Sequence, residues 1–220
     1  MMHKRWALMT VFISAFLFSQ AQKTISEGTL TYDINIQSSN KDATSSALNG
    51  ATETIYLKGG LSRKDMVSSL GNEKTIHDSK TGNAVILKEY SGQKLMITLT
   101  KQNWDARNSK NAGVVFTTLS ETKDILGYKC VKATAQLKDG STMTLYYTKD
   151  LNVINKEYNA LFKNLDGLPM QYELESKKMK FTYTISKIDL NSLPVARFEF
   201  PKSGYRVMTY EENQGSKKDL

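Results

Sequence analysis

Residues 53–100, ETIYLKGGLSRKDMVSSLGNEKTIHDSKTGNAVILKEYSGQKLMITLT, decide the fold class. Strand-length pieces at 53–58, 61–69, 73–78, 84–90 and 94–100 are separated by Gly59-Gly60, Gly71-Asn72, Thr81-Gly82-Asn83 and Ser91-Gly92. Short runs rich in β-branched and aromatic residues between glycine turns read as strands joined by hairpins. Parallel strands would need crossovers of roughly a dozen residues or more, and no such spacing occurs here. The stretch is therefore an antiparallel meander.

The same pattern continues on both sides. In 28–37, Leu30, Tyr32, Ile34 and Ile36 point one way and Thr29, Thr31, Asp33 and Asn35 the other, the period of a half-buried strand. Residues 38–52 lose that period and read as a loop or as a short helix at 43–48. Residues 101–113, with Trp104 in a polar setting, read as a short helix or a long loop. Strands follow at 114–119, 128–137 and 141–149, with a turn at Lys138-Asp139-Gly140. Tyr158, Leu161, Phe162 and Leu165 recur at helical spacing, which predicts a helix over 150–165 stopped by Gly167 and Pro169. Residues 168–176 and 178–187 form another hairpin. Pro194 and Pro201 bracket 195–200 as an edge or crossing segment, and 211–220 reads as a disordered polar tail. About ten strands with one apolar face must either curl around a helix and a small core or form a half-barrel that holds something else.

The N-terminus predicts export. His3, Lys4 and Arg5 form a basic region, residues 6–18 an apolar one, and Ser19-Gln20-Ala21 a small-x-small cleavage site, so 1–21 reads as a signal peptide. Thirteen residues make a helix of roughly 20 Å, short of a hydrocarbon core of roughly 30 Å. Cleavage leaves 199 of the 220 residues, a single β domain over 22–210 followed by the tail. The lone Cys130 excludes an intramolecular disulfide and leaves no acylation site after the apolar region. The mature chain is expected to be soluble, in the periplasm or outer envelope, with peripheral membrane contact allowed. Loss of Lys4 and Arg5 lowers the formal charge from +8 to +6, spread along the chain, which for an exported protein argues for anionic lipid or envelope polymer and against nucleic acid.

Catalytic equipment is sparse. His77 is the one histidine beyond the leader, and no G-x-S-x-G elbow supplies a partner serine. Cys130, alternating with Tyr128 and Lys132, reads as a small buried hydrophobe. One histidine and one cysteine do not make a zinc site, and neither an EF-hand nor a phosphate-cradling glycine loop is present, so no catalytic residue, metal or cofactor is expected. The apolar stripes carry more information: Tyr32, Ile34, Ile55, Leu57, Leu95, Ile97, Leu145, Tyr147, Tyr172, Leu174, Phe181 and Tyr183. They read either as a dry core or as the lining of a cavity for a lipid or acyl chain, with Arg63 as its anionic-headgroup contact.

The segment Thr122-Lys-Asp-Ile-Leu-Gly-Tyr-Lys-Cys-Val-Lys-Ala133, then Leu145-Tyr-Tyr-Thr148 and Gly167-Leu-Pro169, resembles uncharacterised Gram-negative envelope proteins. It is similar to the GLPGLI family and to a related domain of unknown function grouped with lipoprotein-localisation (LolA-like) carriers. Met170-Gln171 after Gly167-Leu168-Pro169 departs from the GLPGLI pattern and favours the carrier-like relative. The resemblance implies a mainly β fold, a curved antiparallel half-barrel with a helical lid. The resulting expectation is a non-enzymatic carrier of a lipid or lipidated protein, or alternatively a ligand-free structural or interaction module of the envelope.

Overall fold

The computed structural model describes residues 22–38, 49–176 and 179–218. The signal peptide expected over 1–21 and the short helix considered at 43–48 lie outside the described residues.

The strands are β1 (Lys23–Ile25), β2 (Glu27–Ser38), β3 (Ala51–Lys58), β4 (Leu61–Ser68), β5 (Gly71–Asp78), β6 (Ala84–Tyr90), β7 (Gln93–Leu99), β8 (Phe116–Ile125), β9 (Tyr128–Gln136), β10 (Thr142–Thr148), β11 (Leu151–Val153), β12 (Leu168–Ser176), β13 (Met179–Asp189) and β14 (Arg206–Thr209). Twelve of them form one open sheet in the order β14-β7-β6-β5-β4-β3-β2-β13-β12-β10-β9-β8. All neighbours are antiparallel except β14 and β7. The meander over 53–100 is thus β3 to β7, and the mainly β expectation holds with the sheet left open between edges β8 and β14.

Register explains the face each side chain takes. Leu30 pairs with Ile55, and Ile34 with Tyr183, so the apolar positions of β2, β3 and β13 align on one inner face. Leu145 opposite Tyr172, and Tyr172 opposite Tyr183, extend it across β10 and β12. A filled core sits on this half of the sheet.

What fills it corrects the expected helix. Residues 150–165 form β11, parallel to β1, followed by single 3₁₀ turns at Lys156–Tyr158 and Ala160–Phe162. The Asn155 side chain accepts from the Glu157 amide and the Asn159 side chain from the Leu161 amide, both at 3.2 Å. Such local Asn bonds satisfy the backbone outside a continuous helix. The helical spacing still located the buried side chains: Tyr158, Leu161, Phe162 and Leu165 pack onto the inner face with Leu151 and Val153.

Two helices close the other half. Helix α1 (Lys101–Asn108) starts with a reciprocal cap between Thr100 and Asn103. Helix α2 (Tyr210–Lys218) takes up the described part of the tail expected to be disordered over 211–220 and is capped by Thr209, whose hydroxyl accepts from the Glu212 amide at 3.2 Å. Before it, the segment read as an edge or a crossing piece holds a 3₁₀ turn at Val195–Phe198, not an edge strand. Arg197 offers its carbonyl to Arg63 at 2.8 Å and stacks on Tyr56, tying this turn to β3 and β4. The C-terminal segment thus binds these strands, adds β14 beside β7, and returns as α2 towards α1, where Asn103 donates to Glu211 at 2.7 Å.

Glu27 anchors the start of that segment. Its carboxylate accepts from Lys58 at 2.6 Å, from Ser192 at 2.9 Å and from the Leu193 amide. These bonds, led by Lys58, lower its pKa from 4.5 to about 2. A lowered carboxylate pKa gives stability that is present above pH 4.5 and lost as pH falls towards 2. Urea unfolding of Glu27→Gln is therefore expected to show a flatter acid limb across that window; a limb unchanged from wild type would contradict this role.

Candidate functional site

Between the filled core and β14 the apolar rule breaks. Following register from Ile55, the inward positions are Lys64 and Ser62 on β4, then Thr75 and His77 on β5. Beyond them, Ala84, Ile86, Ile97 and Leu99 on β6 and β7 return to apolar residues and pack against Trp104 and Tyr210. A polar strip therefore crosses the inner face between two apolar clusters, with Ser62, Thr75 and His77 all buried. Departures of this kind concentrate at functional sites.

Above the strip lies a cleft of about 510 Å³. Its floor is β3 to β7. Its walls are α1 with the turn at Ser109–Asn111, the Tyr158-Asn159-Ala160 turn, and Tyr210, Asn213 and Gln214 of α2.

His77 is 3 % exposed and lies flat against Trp104, centroids 4.3 Å apart and planes at 12°. Among the described residues neither ring nitrogen has a hydrogen-bond partner. Burial lowers its pKa, opposed by the charges of Glu157, Asp78 and Asp105, so the neutral imidazole is favoured. A neutral ring still carries one donor and one acceptor, and leaving such groups unpaired costs about 1–3 kcal/mol. His77 has neither a hydroxyl nor a carboxylate on its nitrogens, so the nucleophile–base–orienter chain of a hydrolase is not assembled. Among the described residues no group of three or more His, Cys, Asp or Glu is placed to hold a metal.

The cleft wall is cationic. Lys64 lies 3.6 Å from Glu53, while Lys88 and Arg107 share Glu73 at 3.1 and 3.6 Å. Lys110 lines the same space. The Arg107 Nη1 is buried and has no hydrogen-bond partner among the described residues.

Of the twelve stripe residues, the structure brings Ile55 and Ile97 to this cleft. Tyr32, Ile34, Leu57, Leu145, Tyr147, Tyr172 and Tyr183 are buried in the filled core, with Leu174 and Phe181 packed at its margin. Tyr172 meets Tyr32 edge-on and stacks on Tyr183, and the Tyr32 hydroxyl donates to the Pro169 carbonyl at 2.8 Å. Leu95 is half-buried on β7. Arg63 alternates with the inward Ser62 and Lys64; its guanidinium is held by both Asp65 oxygens at 2.6–2.7 Å and lies over Tyr56. Arg63, expected as a headgroup contact, also lines the cleft, with its charge paired to Asp65. Setting His77 aside as a base and reading a short helix or a long loop around Trp104 passed over the pair they form, His77 on the cleft floor against Trp104 of its wall.

Cys130 is fully buried on β9, its thiol donates to the Tyr128 carbonyl at 3.3 Å, and burial pushes its pKa up to about 11. Alkylation by iodoacetamide at pH 7.5 is expected to proceed no faster than the chain unfolds. Rapid modification of the folded protein would contradict this placement.

Comparison with curated proteins gives no match. Among solved structures, PNGF-II resembles the chain with a TM-score of 0.49 and 13 % identity, over 86 % of this chain and 33 % of that one. MucB gives 0.41 and 12 % over 80 % and 58 %, and the Mycobacterium tuberculosis lipoprotein LppX gives 0.33 and 11 % over 76 % and 88 %. The chain spans about a third of the length of PNGF-II. The family model described as N-glycanase peptide, N-terminal domain matches residues 64–212, and not the GLPGLI or lipoprotein-localisation models that the Gly167-Leu168-Pro169 region resembles. With more than half of its length matched, the chain belongs to the N-glycanase N-terminal domain family.

Proposed function

We propose that this chain is an exported, non-catalytic binding module that holds one small amphipathic ligand in the cleft over β3–β7. The observation that carries the reading is the buried polar strip beneath a cleft of about 510 Å³ lined by His77 and Arg107, whose buried nitrogens have no partner among the described residues. Pockets of roughly 300–1,000 Å³ with apolar walls and a few convergent polar groups are the usual form of a small-ligand site. Ile55, Ile86, Ile97 and Trp104 supply the apolar surface. A lipid or the start of an acyl chain fits this description, but a fully enclosed chain does not, because Leu161, Phe162 and Leu165 occupy the neighbouring half of the inner face. The family label and the export signal are consistent with a domain that presents or retains a ligand in the cell envelope, either alone or beside a partner domain.

The second reading, a ligand-free scaffold, draws support from that same filled core. Native mass spectrometry and extraction of protein purified from its own host separate the two. The binding reading expects a bound small molecule that is lost in Thr75→Trp, whose indole projects from the cleft floor. Protein recovered without any ligand, at full occupancy of its partners, would support the scaffold instead.

A further inference from the structure

We infer that the cleft is an oxyanion site: the ligand's phosphate or carboxylate group is received by Arg107 and His77, with Lys88 and Lys64 completing the positive wall. This inference rests on the binding reading and specifies the chemistry of its ligand.

Five cations line the cleft: Arg63, Lys64 and Lys88 from the strands, Arg107 from α1 and Lys110 from the turn that follows it. The carboxylates against them are Glu53, Asp65 and Glu73, the second paired with Arg63, and none of the three lines the cleft. Glu73 is divided between Lys88 and Arg107, so the wall keeps an excess of positive charge after its own ion pairs are counted. A guanidinium cannot shed its proton in a protein, and it carries five donors in a rigid fork suited to planar oxyanions. Arg107 uses Nη2 towards Glu73 at 3.6 Å, longer than a hydrogen bond, and leaves Nη1 buried and unpaired.

His77 adds an independent observation. It is more than nine-tenths buried, lines the same cleft, and holds two unpartnered nitrogens in a slot fixed by the Trp104 face. A protein selected only to fold would gain by placing an apolar ring there, since the polar atoms raise its free energy until something pairs with them. An oxyanion accepts from both the guanidinium and the imidazole N–H. A neutral head accepts a hydrogen bond but leaves the excess positive charge of the wall uncompensated, and a cationic head adds to it.

Isothermal titration calorimetry on the full chain tests this with four probes: inorganic phosphate, octyl phosphate, octyl glucoside and octyltrimethylammonium. Octyl phosphate is expected to bind at least about tenfold more tightly than either of the other octyl probes, with inorganic phosphate weaker than octyl phosphate but competing with it. Arg107→Gln should erase that preference. His77→Phe, which keeps a ring against Trp104, should weaken octyl phosphate binding while raising the Tm of the free protein, a combination that a purely structural histidine would not give. Equal binding of all three octyl probes, unaltered by Arg107→Gln, would overturn the oxyanion inference and leave the cleft as a binding site. Binding of none of the probes would overturn the inference, and an empty host-purified protein would in addition overturn the binding reading.

Discussion

Phe162→Ala is expected to destabilise the protein by about 3–5 kcal/mol, the largest single-residue effect among the side chains that fill the inner face. Phe162 is 2 % exposed, meets Tyr172 edge-on at 4.8 Å between centroids, and stacks near Phe116 at 6.3 Å. It stands on a 3₁₀ turn rather than a strand, so neighbouring strands cannot close in on the space it leaves. The cost is therefore a transfer term plus a cavity term, read as a lower midpoint in urea with an unchanged slope. The variant also converts the filled half of the sheet into an apolar void, and it should gain affinity for a small apolar probe such as benzene. A loss under about 1 kcal/mol would mean that 151–165 does not form the plug described here.

Gly167→Ala should cost about 3 kcal/mol or more, from backbone strain and overpacking together. Gly167 has φ +149°, and an added Cβ would lie 2.2 Å from the Thr148 carbonyl oxygen and 2.9 Å from the Tyr147 ring. Neither contact is the free end of a flexible side chain. The next residues use that close approach: Leu168 is fully buried and pairs with Thr148, and the Pro169 carbonyl receives the Tyr32 hydroxyl. The Gly167-Leu168-Pro169 motif thus has a structural job, bringing the start of β12 against the end of β10. Thermal unfolding of Gly167→Ala within a degree of wild type would contradict that account.

The strands were legible because alternation over 28–37 and the glycine turns of 53–100 are local signals. β8 runs to Ile125, beyond the expected end at 119, because an exposed edge strand through Thr117–Lys123 has no apolar face to alternate. Residues 150–165 show the limit of periodicity: spacing located the buried side chains, whereas Asn155 and Asn159 decided the backbone. Helix α2 had a readable start, the Thr209-x-x-Glu212 capping box, hidden within a polar tail.

The cleft was harder to see. A search for catalytic motifs and apolar stripes passes over Ser62, Lys64 and Thr75 and weighs His77 only as a base, whereas all four matter because they are polar at inward positions. Carrying register from Ile55 across two hairpins would have exposed them. The walls carry no local signal at all, since α1 and α2 meet through Asn103 and Glu211, 108 residues apart in sequence.

The central claim is that ligand binds in the polar-floored cleft and not among the stripes of the filled core. Titrating the isotope-labelled full chain with a lipid extract of its own host, and following amide, methyl and imidazole NMR signals, tests this directly. The account predicts shifts concentrated at Ile86, Ile97, His77, Trp104 and Arg107, with Leu145, Tyr172 and Tyr183 unmoved. Shifts centred on those last three residues, or no shifts anywhere, would contradict it.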